Sequence, residues 1–171
     1  MLSSVFKAAF PNSTIILVDI GKSLMYQAYY IQRAYPDCVH EMADSVTDPN
    51  EVDFMYSPAE DLNDLENLRL DAVANVHSMQ EMNSKTIENY FTFMRTHFNE
   101  GGIFYCCNRV HKELVGGEVL NFYEYPWSDQ DRFLVDEPCG WSRFYISRTP
   151  AQSSPRMLGI KVPFFNHLDG E

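Results

Sequence analysis

The sequence predicts an α/β fold, a parallel sheet covered by helices on both faces. Three observations carry that expectation. TIILVDI at 14–20 is a β-branched apolar run of the buried-strand type, and LDAVANV at 70–76 and IFYCCNRV at 103–110 read as further strands. Stretches with apolar residues at helical spacing lie between them. The resulting order is helix, strand, helix, strand, connection, strand, helix, strand, and such alternation implies parallel strands with crossover helices.

Residues 3–10 read as the end of a short helix stopped by Pro11. After the strand at 14–20, Ser23 can cap a helix whose apolar positions are Leu24, Ala28, Ile31 and Tyr35, with Pro36 ending it. Residues 37–51 are polar and read as a surface loop, and VDFMYSP at 52–58 reads as a second short strand. An acidic segment at 59–68 leads into the strand at 70–76. Asn83 or Ser84 can then cap a helix with the stripe Ile87, Tyr90, Phe91, Met94 and Phe98, ended by Gly101-Gly102. The last third differs: WSRFYISRT at 141–149 and LGIKVPFF at 158–165 read as antiparallel strands added at a sheet edge.

By length the 171 residues form a single domain, and 45% hydrophobic with 22% charged residues is ordinary for a globular protein. A net charge of −11 argues against a nucleic-acid backbone or an anionic membrane as partner. No apolar run approaches the roughly 20 residues that span a bilayer, and the opening MLSSVFKAAFP is too lightly apolar for a signal peptide. Cys38, Cys106, Cys107 and Cys139 contain no C-x-x-C spacing, and adjacent Cys106 and Cys107 point to opposite faces of a strand. They read as free thiols in a cytoplasmic protein.

Open parallel sheets bind ligands beyond the carboxyl ends of their strands. That rule nominates Asp19-Ile20-Gly21, Ser57 to Leu62, Asn75 to Glu81, and Asn108 to His111. Asp19 is placed either to hold a ribose through its hydroxyls or to cap the following helix. His77 is the general-base candidate, because an imidazole titrates near neutrality. Glu81, four residues on, can orient it or act as base itself. The competing reading makes His77 a satisfied loop histidine and Glu81 a first-turn acid of the helix. Asn108 is a substrate ligand or a turn residue, and Trp127 walls a ring or packs the core. No third ligand accompanies His77 and Glu81, so no metal is expected.

DAVANVHSMQEMNSKTIENYFTFMR, GGIFYCCNR and NFYEYPW, in this order, resemble the sugar O-methyltransferase family, which uses S-adenosylmethionine. The upstream FPNSTIILVDIGKSLMYQAYYIQRAYPD is similar to that family's second strand and following helix. The resemblance implies a Rossmann-like methyltransferase sheet with helices on both faces and antiparallel strands at the carboxyl-terminal edge. It places Asp19 and Ile20 at the cofactor's ribose, Ser57, Asp61 and Leu62 beside its adenine, and Asn75 and Val76 near its methionine part. His77 and Glu81 then lie beside the acceptor hydroxyl, while Asn108 and Trp127 stay substrate candidates on their own residue chemistry.

The family's sheet begins with a strand and a Gly-rich loop that this chain lacks, opening instead at what corresponds to the helix after them. The expectation is therefore the carboxyl-terminal portion of a longer enzyme, completed by a missing amino-terminal segment or by another copy of the chain. The alternative is a non-catalytic methyltransferase-like remnant that binds a partner. A nucleotide-sugar transferase is a third reading, and its only D-x-D is Asp129-Gln130-Asp131.

Overall fold

A computed structural model describes residues 2–140 and 158–165, in which the chain forms two compact units, Met1–Leu68 and Arg69–Glu171. The strand expected at 141–149 lies outside the described residues.

The first unit contains α1 (Leu2–Ala9), β1 (Ile15–Asp19), α2 (Gly21–Ala34), β2 (His40–Met42) and β3 (Phe54–Pro58). Its strands form a wholly parallel sheet in the order β1-β3-β2. The middle strand β3 is buried from Phe54 to Ser57, as its short apolar run requires. Leu24 and Ile31 of α2 pack on Leu17, Phe54 and Tyr56, with Ala28 and Tyr35 at the margin, so the helical stripe is the core face. Helix α2 begins three residues earlier than expected: Ile20 is its N-cap residue and no side chain caps it, so Ser23 lies inside the first turn. The segment 37–51 is not a plain loop. It includes β2, a three-residue edge strand, and two 3-10 turns.

The second unit contains β4 (Leu70–Val76), α3 (Ser84–His97), β5 (Phe98–Arg109), β6 (His111–Glu113), β7 (Val119–Asn121), β8 (Arg132–Pro138) and β9 (Leu158–Phe165). Its main sheet has the order β4-β5-β9-β8. Strands β4 and β5 are parallel, whereas β9 is antiparallel to both β5 and β8. Strands β6 and β7 form a separate hairpin. Helix α3 is capped by Asn83, whose Oδ1 accepts the Thr86 amide at 2.8 Å. Its stripe, Ile87, Phe91 and Met94, packs with Phe98, Phe104 and Phe122 in the main core. Gly101-Gly102 does not end this helix. It lies within β5, where Gly101 has φ +83° and the pairing with β4 shifts register between Leu70 and Ala72.

The Rossmann-like methyltransferase sheet is therefore a correction. The strands do not form one helix-covered sheet; they divide into sheets of three, four and two strands. Strands β1 and β4 each hydrogen-bond a strand on one side only among the described residues, so neither sheet continues past that edge. The described residues contain three α-helices, too few to layer both faces. Helix α3 covers one face of the β4–β5 pair, while Val76, Ile103 and Tyr105 remain exposed on the other.

Candidate active site

In the second unit the parallel pair β4–β5 ends with Val76 opposite Cys107. The next residue, His77, has φ +63°, the only positive φ outside glycine among the described residues. Its amide donates to the Cys107 carbonyl at 2.9 Å, and the left-handed backbone turns the chain from β4 into the 3-10 turn Met79–Glu81. This conformation is unfavourable for residues with a Cβ, although His tolerates it better than most. The imidazole is exposed and has no hydrogen-bond partner among the described residues.

Beneath it lies a network of three amide side chains. Asn108 is fully buried; its Nδ2 donates to Asn75 Oδ1 at 3.0 Å and its Oδ1 accepts the Gln80 amide at 3.1 Å. Asn75 Oδ1 also accepts the Met79 amide at 3.1 Å, and Asn75 Nδ2 donates to Ser78 Oγ at 2.6 Å. Gln80 Oε1 accepts the Arg109 amide at 2.9 Å. Each amide group supplies both a donor and an acceptor, which a buried strand-end turn needs to satisfy its backbone.

Glu81 does not engage His77. Its carboxylate accepts Lys112 Nζ at 3.0 Å on Oε1 and 2.8 Å on Oε2, and Gln80 Nε2 at 3.2 Å. The hydrogen bond from Lys112 holds the Glu81 carboxyl below its ordinary range, against the opposing effect of partial burial. A carboxylate so stabilised is a poor proton acceptor. Glu81 is held as an anion by Lys112, and the His77 imidazole stands apart from it. Glu81, Asn83, Lys112 and Glu113 open onto a cavity of about 320 Å³, whose outer wall is the tip of the β6–β7 hairpin at Leu114 to Gly116.

The first unit assembles the other nominated residues at the carboxyl ends of β1 and β3, where Asp19 pairs with Pro58 and its carbonyl accepts the Ala59 amide at 3.0 Å. Asp19 Oδ1 accepts the Ile20 amide at 2.8 Å, and Gln27 donates to Oδ2. Ile20 is exposed and apolar, and Asp61 is exposed with no side-chain partner among the described residues. Leu62 is half-buried at the start of a 3-10 turn. Ser57 has no exposed surface, and its hydroxyl donates to the Pro58 carbonyl at 3.3 Å, so it faces the interior.

Of the two nominated substrate residues, Asn108 is buried and Trp127 is half-buried against the core. Asn108 is the buried hub just described. Trp127 packs edge-on against Phe91 at 4.9 Å and donates from Nε1 to the Phe122 carbonyl at 2.8 Å. Asp131 of the D-x-D accepts both guanidinium nitrogens of Arg95, at 2.7 and 2.9 Å, and is committed to structure. Sequence reasoning gave no role to Gln80, inside the nominated Asn75 to Glu81 stretch, and missed Lys112. Their partners lie 29 and 31 residues away in the chain, and no local pattern marks them. No group of three or more His, Cys, Asp or Glu side chains among the described residues is arranged to hold a metal. No helix among them is long and apolar enough to cross a membrane. No protein-family model and no curated protein matches the chain.

Proposed function

We propose that this protein takes part in S-adenosylmethionine-dependent O-methylation of a sugar or glycan hydroxyl, with His77 as the general base. One observation carries the reading: an exposed, unpartnered imidazole held in a left-handed backbone at the carboxyl end of a parallel strand. Unfavourable backbone conformations concentrate where a side chain must point somewhere particular.

The residues nominated for the cofactor fit it in part. Asp19 retains a lone pair on each oxygen beside its present donors, Ile20 offers an apolar face, and Asp61 has a free carboxylate. Ser57 does not fit, because its hydroxyl is turned inward. When bound, S-adenosylmethionine supplies an electrophilic methyl group on a sulfonium. Within the second unit His77 is the group that accepts an acceptor hydroxyl's proton, and the amide network below fixes the turn so that the imidazole keeps its direction. Glu81 and Lys112 present an acceptor and a donor at the cavity edge, suited to a ligand with neighbouring hydroxyls.

A second reading, a non-catalytic module, draws support from Glu81, which is paired with Lys112 and leaves His77 without an orienting carboxylate. Calorimetric titration with S-adenosylmethionine separates the two. Micromolar binding, lost in Asp19→Ala, is the expected result. Absence of any binding favours the non-catalytic module.

A further inference from the structure

The β6–β7 hairpin is attached in two unlike ways. At its base Leu120 is buried, Phe122 is fully buried, and the Phe122 amide donates to the Val110 carbonyl at 2.9 Å. Its other attachments are mostly polar, and Lys112 stands directly opposite the buried Leu120. Lys112 Nζ reaches both oxygens of Glu81 at 3.0 and 2.8 Å, and Glu118 Oε1 accepts the Ser84 amide at 2.9 Å. Leu114 is the one tip residue packed on the core, while Val115 is wholly exposed. The turn itself is closed by backbone hydrogen bonds between Leu114 and Glu118 and between Gly117 and Leu114, with Gly117 at φ +83°.

We propose that this hairpin is a flap that opens and closes the cavity beside Glu81, with the Lys112–Glu81 pair and the Glu118–Ser84 bond as its two latches. The tip residues Leu114 to Gly116 are the wall of that cavity, and Glu81 with Asn83 is its floor. Lifting the tip breaks both latches, widens the entrance and frees the Glu81 carboxylate for an incoming ligand. Exposed ion pairs are among the weakest contacts a protein makes, so such a gate opens readily, while the buried base keeps it hinged. The inference rests on the proposed reading only for what enters the cavity, the sugar acceptor. The gate itself belongs to the free chain.

Ser84 provides the reporter. It is the first residue of α3, where an amide has no partner within the helix, and this amide donates to the Glu118 carboxylate across the gap. Amide hydrogen exchange followed by NMR, without cofactor or acceptor, therefore reads flap closure independently of methyl transfer. Lys112→Met and Glu81→Gln are each expected to speed Ser84 exchange on the order of two- to fivefold while β5 amides keep their protection. The double charge swap Glu81→Lys with Lys112→Glu is expected to restore the slow rate. Unchanged Ser84 exchange in both single variants overturns the flap. So does loss of protection at Ser84 and β5 together, because the contacts then hold the whole unit rather than a gate.

Discussion

Asn108 Oδ1 accepts the backbone amide of Gln80 at 3.1 Å in a fully buried position, and this bond ties β5 to the turn that carries His77. The two residues stand 28 apart in sequence. Because the bond is shielded from water, replacing Asn108 with the nearly isosteric Leu leaves the Gln80 amide without a partner. The expected loss is about 2–3 kcal/mol, read by urea unfolding. A loss under about 0.5 kcal/mol shows that the amide finds another partner and that Asn108 is not the hub.

His77→Gly tests the backbone beneath the imidazole. A residue with a Cβ at φ +63° gives up stability that glycine recovers, offset in part by glycine's greater freedom in the unfolded chain. The variant is expected to be as stable as the parent or up to about 1 kcal/mol more stable, whereas His77→Ala is not. A clear loss of stability in His77→Gly means that the imidazole holds the fold together, which argues against a free functional base.

Tyr125 is buried against Phe91, Phe122 and Trp127, and its hydroxyl has no hydrogen-bond partner among the described residues. Burial accordingly pushes the phenol well above its ordinary range. Tyr125→Phe removes an unsatisfied group and keeps the ring, so thermal and urea unfolding are expected to show a gain of about 1 kcal/mol. A loss of similar size reveals a partner for the hydroxyl.

The acid limb of stability in the first unit centres on Asp53. Lys7, itself 5% exposed, donates to Asp53 at 2.5 Å, and the Val39 amide donates to its other oxygen at 2.9 Å. The Lys7 hydrogen bond, then the Val39 one, hold the carboxyl below its ordinary value of 3.8. With the folded pKa below the unfolded one, the stabilisation is complete above the unfolded value and fades as pH falls through the folded one. Asp53→Asn should cost about 2 kcal/mol at neutral pH, since it removes the counter-charge of a buried ammonium that keeps only the Ser13 carbonyl as a hydrogen-bond partner among the described residues. It should also flatten the drop in melting temperature on acidification below about pH 4. An unaltered acid slope in the variant assigns that limb to other carboxylates.

Much of this was readable where the signal is local. The β-branched run of β1 and the stripes of α2 and α3 each indicate a core face, and the structure buries Leu17 of β1, Leu24 and Ile31 of α2, and Ile87, Phe91 and Met94 of α3. The edges and the long-range pairs were not readable. His40–Met42 forms β2 with too few residues to alternate, and Arg132–Pro138 forms β8 amid polar residues with only a partial period. The continuous sheet expected across β1 and β4 depended on a resemblance, not on any pattern that specifies strand pairing. Within the site, His77 stood out because an imidazole occupies a turn where glycine is the easier choice. Glu81 was assigned to His77 by four-residue spacing, which holds on a helix but not through a left-handed residue and a 3-10 turn. Asn108 was nominated by its place at a strand end and Trp127 by its aromatic ring, and the burial of the first and the core packing of the second became visible only with their surroundings.

The central claim, that His77 removes the acceptor's proton, is tested most directly by transfer of labelled methyl from S-adenosylmethionine to a panel of sugars. The comparison is between the parent chain and His77→Ala, with cofactor affinity measured alongside. The account predicts a rate lower by about 10²-fold in the variant, with cofactor affinity nearly unchanged. Equal turnover by parent and variant, or no methyl transfer to any sugar by a parent chain that binds the cofactor, contradicts it.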